Sequence, residues 1–159
     1  MILVLLGTQN NSFFRLLDEI ENCINKKIIN EEVVVQAGYT TYNSEKMKIL
    51  DFIPSSDLNN LLLKSNLIIT HGGVGSIIDS IKLNKKVIAV PRLSEFNEHV
   101  NDHQLQIVQS FDSNGYIKGI TDISDLEKAL ITISDFTPKK YISNTKNIID
   151  IIANYIDNN

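Results

Sequence analysis

The chain has 159 residues, 43% of them hydrophobic and 21% charged, with a net charge of −4. That is enough apolar material for one core and too little chain for two full domains, so a single domain over residues 1–159 is expected. The acidic balance leaves no electrostatic footprint for nucleic acid, and the lone Cys23 excludes an internal disulfide and fits a reducing, cytoplasmic compartment.

The first apolar run, Ile2–Leu6, is far too short for a membrane span or a signal-peptide core. It opens a series of strand-like runs, continued by Glu32–Ala37, Lys48–Phe52, Leu67–Thr70, Lys86–Val90 and Tyr116–Lys118. These are short and nearly continuous in apolar residues, the pattern of strands covered on both faces. Helical patterns fall between them. Phe13, Leu16, Leu17, Ile20 and Ile24 share one helical face. Ser56 is placed to cap a helix carrying Leu58, Leu61 and Leu62, and Ser124 with Glu127 to form a capping box ahead of Leu126, Ala129, Leu130 and Ile133. A last helical face gathers Ile148, Ile149, Ile152, Tyr155 and Ile156, with Ile151 off the stripe, and is a candidate partner interface or a face docked on the chain's own sheet. Strand–helix alternation predicts an α/β fold, a Rossmann-like parallel sheet with helices on both faces.

In such sheets ligands bind at the carboxyl ends of the strands. Four polar or glycine-rich segments fall there: GTQNNS, GYTTYN, HGGVGS and PRLSEFNEHVNDHQ. HGGVGS closes a strand and starts a helix, so its glycines admit a ligand to the backbone and the helix N-terminus offers N–H groups to an anion. A phosphate or diphosphate is the natural guest. Asp79, three residues beyond Ser76 on that helix, is either a ribose-hydroxyl acceptor or a solvated carboxylate. The segment fits neither the dinucleotide fingerprint nor the P-loop, and the chain lacks the G-x-S-x-G of esterases. His99 and His103 stand four apart, but without the glutamate of H-E-x-x-H, and no metal site is expected. Gln104 falls on an apolar stripe with Val100, Ile107, Val108 and Phe111, so it is a core amide or a ligand contact at the helix mouth, the second favoured.

The segments LLGTQNNSFFRLLDEIE, VVVQAGYTTYN, DFIPSSDLNNLLLKSNLIITHGGVGSIIDSIKLNKKVIAVPR and EFNEHVNDHQLQIV together resemble the glycosyltransferase family 28 C-terminal domain. The likeness runs from about Met1 to Lys118. It is strongest to small bacterial exopolysaccharide subunits of the PssE/EpsF type, related to the catalytic subunit of the two-chain GlcNAc-transferase of N-glycan assembly. The resemblance implies the donor-binding, C-terminal half of a GT-B glycosyltransferase, with a UDP-sugar as substrate and no cofactor. It places Gly7, Thr8 and Gln9 in a first diphosphate-facing loop. Phe52 and Ile53 fall at the uracil, and His71, Gly72, Gly73, Gly75 and Ser76 in the second phosphate loop. Asp79 stands where relatives carry a ribose-binding glutamate, with a shorter side chain. Glu98, His99, Asp102, His103 and Gln104 fall in the segment that reads the sugar.

The same resemblance implies an inverting transfer to a lipid-linked saccharide acceptor in exopolysaccharide or capsule synthesis. A membrane-associated, acceptor-binding subunit would supply the missing half and recruit the chain to the inner face of the membrane. His71, Glu98 and His99 are the candidates for catalysis within this chain. Two further readings are a nucleotide-sugar-binding regulatory module without turnover, and a metal-dependent hydrolase built on His71, His99 and His103.

Overall fold

The computed structural model describes residues 1–143, Ile149 and Ala153. Six strands make one sheet: β1 (Ile2–Leu5), β2 (Val33–Gln36), β3 (Lys48–Leu50), β4 (Leu67–Thr70), β5 (Lys86–Ala89) and β6 (Lys118–Gly119). The helices are α1 (Phe14–Asn25), α2 (Ser55–Lys64), α3 (Val74–Lys82), α4 (His103–Ser113) and α5 (Leu126–Thr132), with 3₁₀ turns at Ser94–Phe96 and Ile123–Asp125.

Alternation along each strand explains the two layers. Ile2, Val4 and Leu6 face a core shared with Leu16, Leu17 and Ile20 of α1 and Leu126 and Ala129 of α5. Leu3 and Leu5 face the opposite core, with Leu62 of α2, Ile77 and Ile81 of α3, and Val108 of α4. Covered on both sides, the strands have no polar face, and this is why their sequences read as unbroken apolar runs.

All strand pairs are parallel, in the order β3-β2-β1-β4-β5-β6. The sheet grows one way from β1 through β2 and β3, and the other way from β4 outward. The connections leaving β1 and β4 therefore diverge, and a crevice opens at their carboxyl ends, where Leu5 pairs with Thr70.

Several local expectations are corrected. Lys118 and Gly119, not Tyr116–Lys118, pair with β5, because the Tyr116 N–H is still engaged by Phe111 O at the end of α4. Ser56 lies inside α2, whose N-cap is Pro54. Ser124 is not a cap either: the Asp122 carboxylate accepts from its backbone N–H and from its hydroxyl, at 2.9 and 2.8 Å. Helix α4 begins only at His103, so His99 and Val100 are loop residues and Val100 is 80% exposed rather than part of an apolar stripe. Of the terminal stripe, Ile148, Ile152, Tyr155 and Ile156 lie outside the described residues, as does Ile151 off the stripe; Ile149 is exposed.

Candidate ligand site at the sheet's carboxyl edge

The segment after β4 is built around an open helix end. Gly73 is the N-cap of α3 and offers no side-chain cap. The first intrahelical bond runs from Ile77 N–H to Gly73 O, which leaves the N–H groups of Val74, Gly75 and Ser76 without intrahelical partners. Gly75 is exposed, and a β-carbon there would meet nothing within 4 Å among the described residues. Neither packing nor backbone conformation requires glycine at this helical position, although glycine costs about 1 kcal/mol relative to alanine inside a helix. The open space over Gly75 lies where an anion would approach the helix end.

His71 joins this loop to the one after β1. Its Nδ1 lies 3.0 Å from Leu5 O; a carbonyl only accepts, so Nδ1 carries the proton. Burial pushes the imidazole down to about 4, and it is neutral at pH 7 with the lone pair on Nε2. The Nε2 edge is wedged between two glycines. A β-carbon would lie 2.7 Å from Nε2 if placed on Gly7 and 2.4 Å if placed on Gly73. Gly7 also has φ +77° and Gly72 φ +83°, so both turns demand glycine.

The first three strand ends are knitted together. Gln36 donates from Nε2 to Gly7 O and to Asp51 O, at 3.1 and 3.2 Å. Thr8 is exposed and Gln9 half-buried in the first loop. Phe52 is 53% exposed, edge-on to the 58% exposed Tyr39 at a ring separation of 5.0 Å, and Ile53 beside it is half-buried. Asp79 is exposed one turn beyond Gly75 and lines a cavity of about 400 Å³ with Ser55, Leu58 and Lys82, between α2 and α3.

The segment after β5 is the most committed to its own structure. Both Glu98 oxygens are gripped by Arg15, at 2.9 Å from Nε and 2.8 Å from Nη2, and Glu98 Oε2 also accepts from Leu93 N–H. Glu98 is buried, and this pairing occupies the carboxylate expected to read a sugar or act as a base. Asp102 accepts from Ser94 N–H at 2.8 Å, which holds its carboxyl below the ordinary range. His99 Nδ1 accepts from Asn101 N–H, so its neutral form carries the proton on Nε2; its charged form would lower His71 further. His103 opens α4, with its N–H bonded to the Asn101 side chain. Gln104 is buried and its Oε1 accepts from Arg92 N–H at 3.1 Å, which makes its carbonyl a core acceptor. Ser76 is half-buried in the first turn of α3.

Gly7, His71 and Gly73 thus share one contact, with Gly75 on the adjoining helix end. Among the described residues, no group of three or more His, Cys, Asp or Glu is placed to hold a metal ion, and no helix is long and apolar enough to cross a membrane. Sequence reasoning missed Arg15, Gln36 and Tyr39. The first of the two tyrosines in GYTTYN was a usable signal for Tyr39. Arg15 and Gln36 had none, because their partners lie across the fold.

Residues 1–157 match the model of the glycosyltransferase family 28 C-terminal domain. The UDP-N-acetylglucosamine transferase subunit ALG13 of Candida albicans is 35% identical over 79 residues, which is 50% of this chain and 26% of that protein. The match therefore spans about a quarter of that relative's length. A glycotransferase of kitacinnamycin superposes with a TM-score of 0.62 at 16% identity, over 87% of this chain and 35% of that one. The solution structure of an ALG13 superposes at 0.57 with 21% identity, over 89% of both chains. The fold is that of the C-terminal, Rossmann-like half of GT-B glycosyltransferases.

Proposed function

Because the chain belongs to the glycosyltransferase family 28 C-terminal domain, we propose that it is the donor-binding subunit of a two-component, inverting glycosyltransferase that takes a UDP-sugar. The observation that carries this reading is the uncapped N-terminus of α3, with Gly75 open above it, beside the Gly7 loop at the crevice between β1 and β4. The diphosphate sits at that helix end, where the dipole contributes about 0.3–1 kcal/mol and more when partly buried. The ribose lies toward Asp79 and the uracil toward Phe52 and Ile53.

In the reaction, an acceptor hydroxyl attacks the anomeric carbon as UDP leaves from the opposite side. The α3 amides stabilise the negative charge that develops on UDP. His71 Nε2, at the meeting of both glycine loops, takes up a proton as the diphosphate arrives and donates to it. The base that deprotonates the acceptor comes from the partner, since Glu98 is held by Arg15. The partner is a membrane-associated, acceptor-binding subunit that brings the chain to a lipid-linked saccharide on the inner face of the membrane. The similar proteins are UDP-N-acetylglucosamine transferase subunits, so UDP-N-acetylglucosamine is the first donor to test. Exopolysaccharide or capsule assembly is the setting we propose for the product.

The test is a transfer assay with candidate UDP-sugars, a lipid-linked acceptor and the chain with and without its partner. Sugar transfer by the pair, with little by the chain alone, is the expected result. Donor binding without transfer by the pair would instead support a regulatory module, a reading favoured by the occupied Glu98 carboxylate.

A further inference from the structure

The loops after β1 and β5 are far apart in sequence and are held together by a buried cation. Arg92 is completely buried, yet its guanidinium forms no ion pair among the described residues. It donates instead to backbone carbonyls: Nη2 to Leu6 O at 2.8 Å, and Nη1 to Asn11 O at 2.7 Å and to Glu98 O at 3.3 Å. Its flat face covers the Phe13 ring at 4.8 Å, and its Nε has no hydrogen-bond partner among the described residues. The two carbonyls it grips in the first loop bracket Gly7, Thr8 and Gln9.

Arg15 completes the network. It holds the Glu98 carboxylate with two bonds, reaches Pro91 O at 3.0 Å, and stacks on Phe96. The cluster therefore holds two guanidiniums and one carboxylate, and that carboxylate is bound to Arg15. The cluster carries one net positive charge, with its deepest member surrounded by neutral carbonyls. Burying a charge that way is costly. A neutral donor could tie the same carbonyls together; a cation adds a positive field directly behind a loop whose other side faces the crevice.

We propose that Arg92 is a positioning residue for the donor: it fixes the loop bearing Gly7, Thr8 and Gln9 against the segment after β5, and backs the diphosphate with a buried positive charge. This deepens the donor-site reading above and rests on it. Burial lowers the Arg92 guanidinium to about 10, so it stays charged across the neutral range.

The experiment is titration of the full chain with UDP and with uridine, followed by amide NMR, with melting curves run alongside. Arg92→Lys keeps a charge but loses the forked grip on separate carbonyls. It is expected to weaken UDP by roughly tenfold or more, the scale of a charged hydrogen bond, and to leave uridine within about twofold. Arg15→Gln, at the partly exposed end of the network, frees Glu98 to neutralise Arg92 and is expected to weaken UDP more than uridine. Arg92→Lys decides the matter where it folds, and Arg15→Gln where it does not. UDP affinity unchanged within about twofold, or an equal loss of UDP and uridine, overturns the role, because a strut that serves only the fold acts on both ligands alike. Absence of UDP binding by the unsubstituted chain overturns the donor-site reading, and this role with it.

Discussion

His71 donates through Nδ1 to the Leu5 carbonyl at 3.0 Å, so the last residue of β1 sets the tautomer of the ring that follows β4. The remaining nitrogen, Nε2, can meet an anion favourably only by gaining a proton. Since burial holds the free imidazole near 4, binding a UDP-sugar between pH 5.5 and 6.5 should draw up to one proton from solution. Calorimetry in buffers of different ionisation enthalpy measures this uptake directly, and a UDP-sugar has no phosphate titrating in that window. His71→Gln should abolish it. Uptake unchanged in that variant would remove His71 from the anion site.

The same burial has a stability consequence. The folded imidazole titrates near 4 and the unfolded one near its ordinary 6.5. Above pH 6.5 both states are neutral and nothing is lost. As pH falls from 6.5 to 4 the unfolded chain binds the proton first, so stability drops progressively, by about 3 kcal/mol at the low end. Urea unfolding at intervals of pH should show that slope in the native chain and a shallower one in His71→Gln.

Gly75→Ala separates folding from binding. The β-carbon meets no atom of the described residues within 4 Å, and alanine is the better helix former. The substitution should raise stability by roughly 0.5–1 kcal/mol. It should also lower UDP affinity, because the methyl group occupies the approach to the helix end. A melting curve and a UDP titration on one preparation check both halves. Raised stability with unchanged affinity would mean that no ligand approaches Gly75.

How much of this was legible in the sequence depends on the range of the interaction. The strands were legible because both faces are covered, which leaves an apolar signature in four consecutive residues; Leu67–Thr70 coincides with its expected span. The glycine loops were legible because backbone needs at Gly7 and Gly72 are local. The start of α4 was not, because the apolar spacing of Val100 with Ile107 and Val108 imitates a helical face while Val100 points to solvent. The pairing of Glu98 with Arg15 was not legible because the two stand 83 positions apart. Gln104 was ambiguous for the same reason, its carbonyl being spent on the Arg92 N–H.

Gln104 and Asp79 should now behave oppositely. Gln104→Ala leaves the buried Arg92 N–H without its acceptor, at a cost of about 1–3 kcal/mol in stability. Asp79→Ala changes an exposed side chain and should leave the melting temperature alone while weakening UDP and UDP-sugar together. Thermal unfolding and calorimetric titration of both variants test this. A stable Gln104→Ala that loses only UDP-sugar would restore the amide as a reader of the sugar.

The donor site itself is tested most directly by amide NMR of the unsubstituted chain titrated with UDP. The predicted result is saturable binding, with the largest shifts at Gly7, Thr8 and Gln9, at Phe52 and Ile53, and at Gly73, Val74, Gly75 and Ser76. No binding, or shifts confined to the cavity beside β6 lined by Asp112, Lys118 and Lys128, would contradict a donor site at the crevice between β1 and β4.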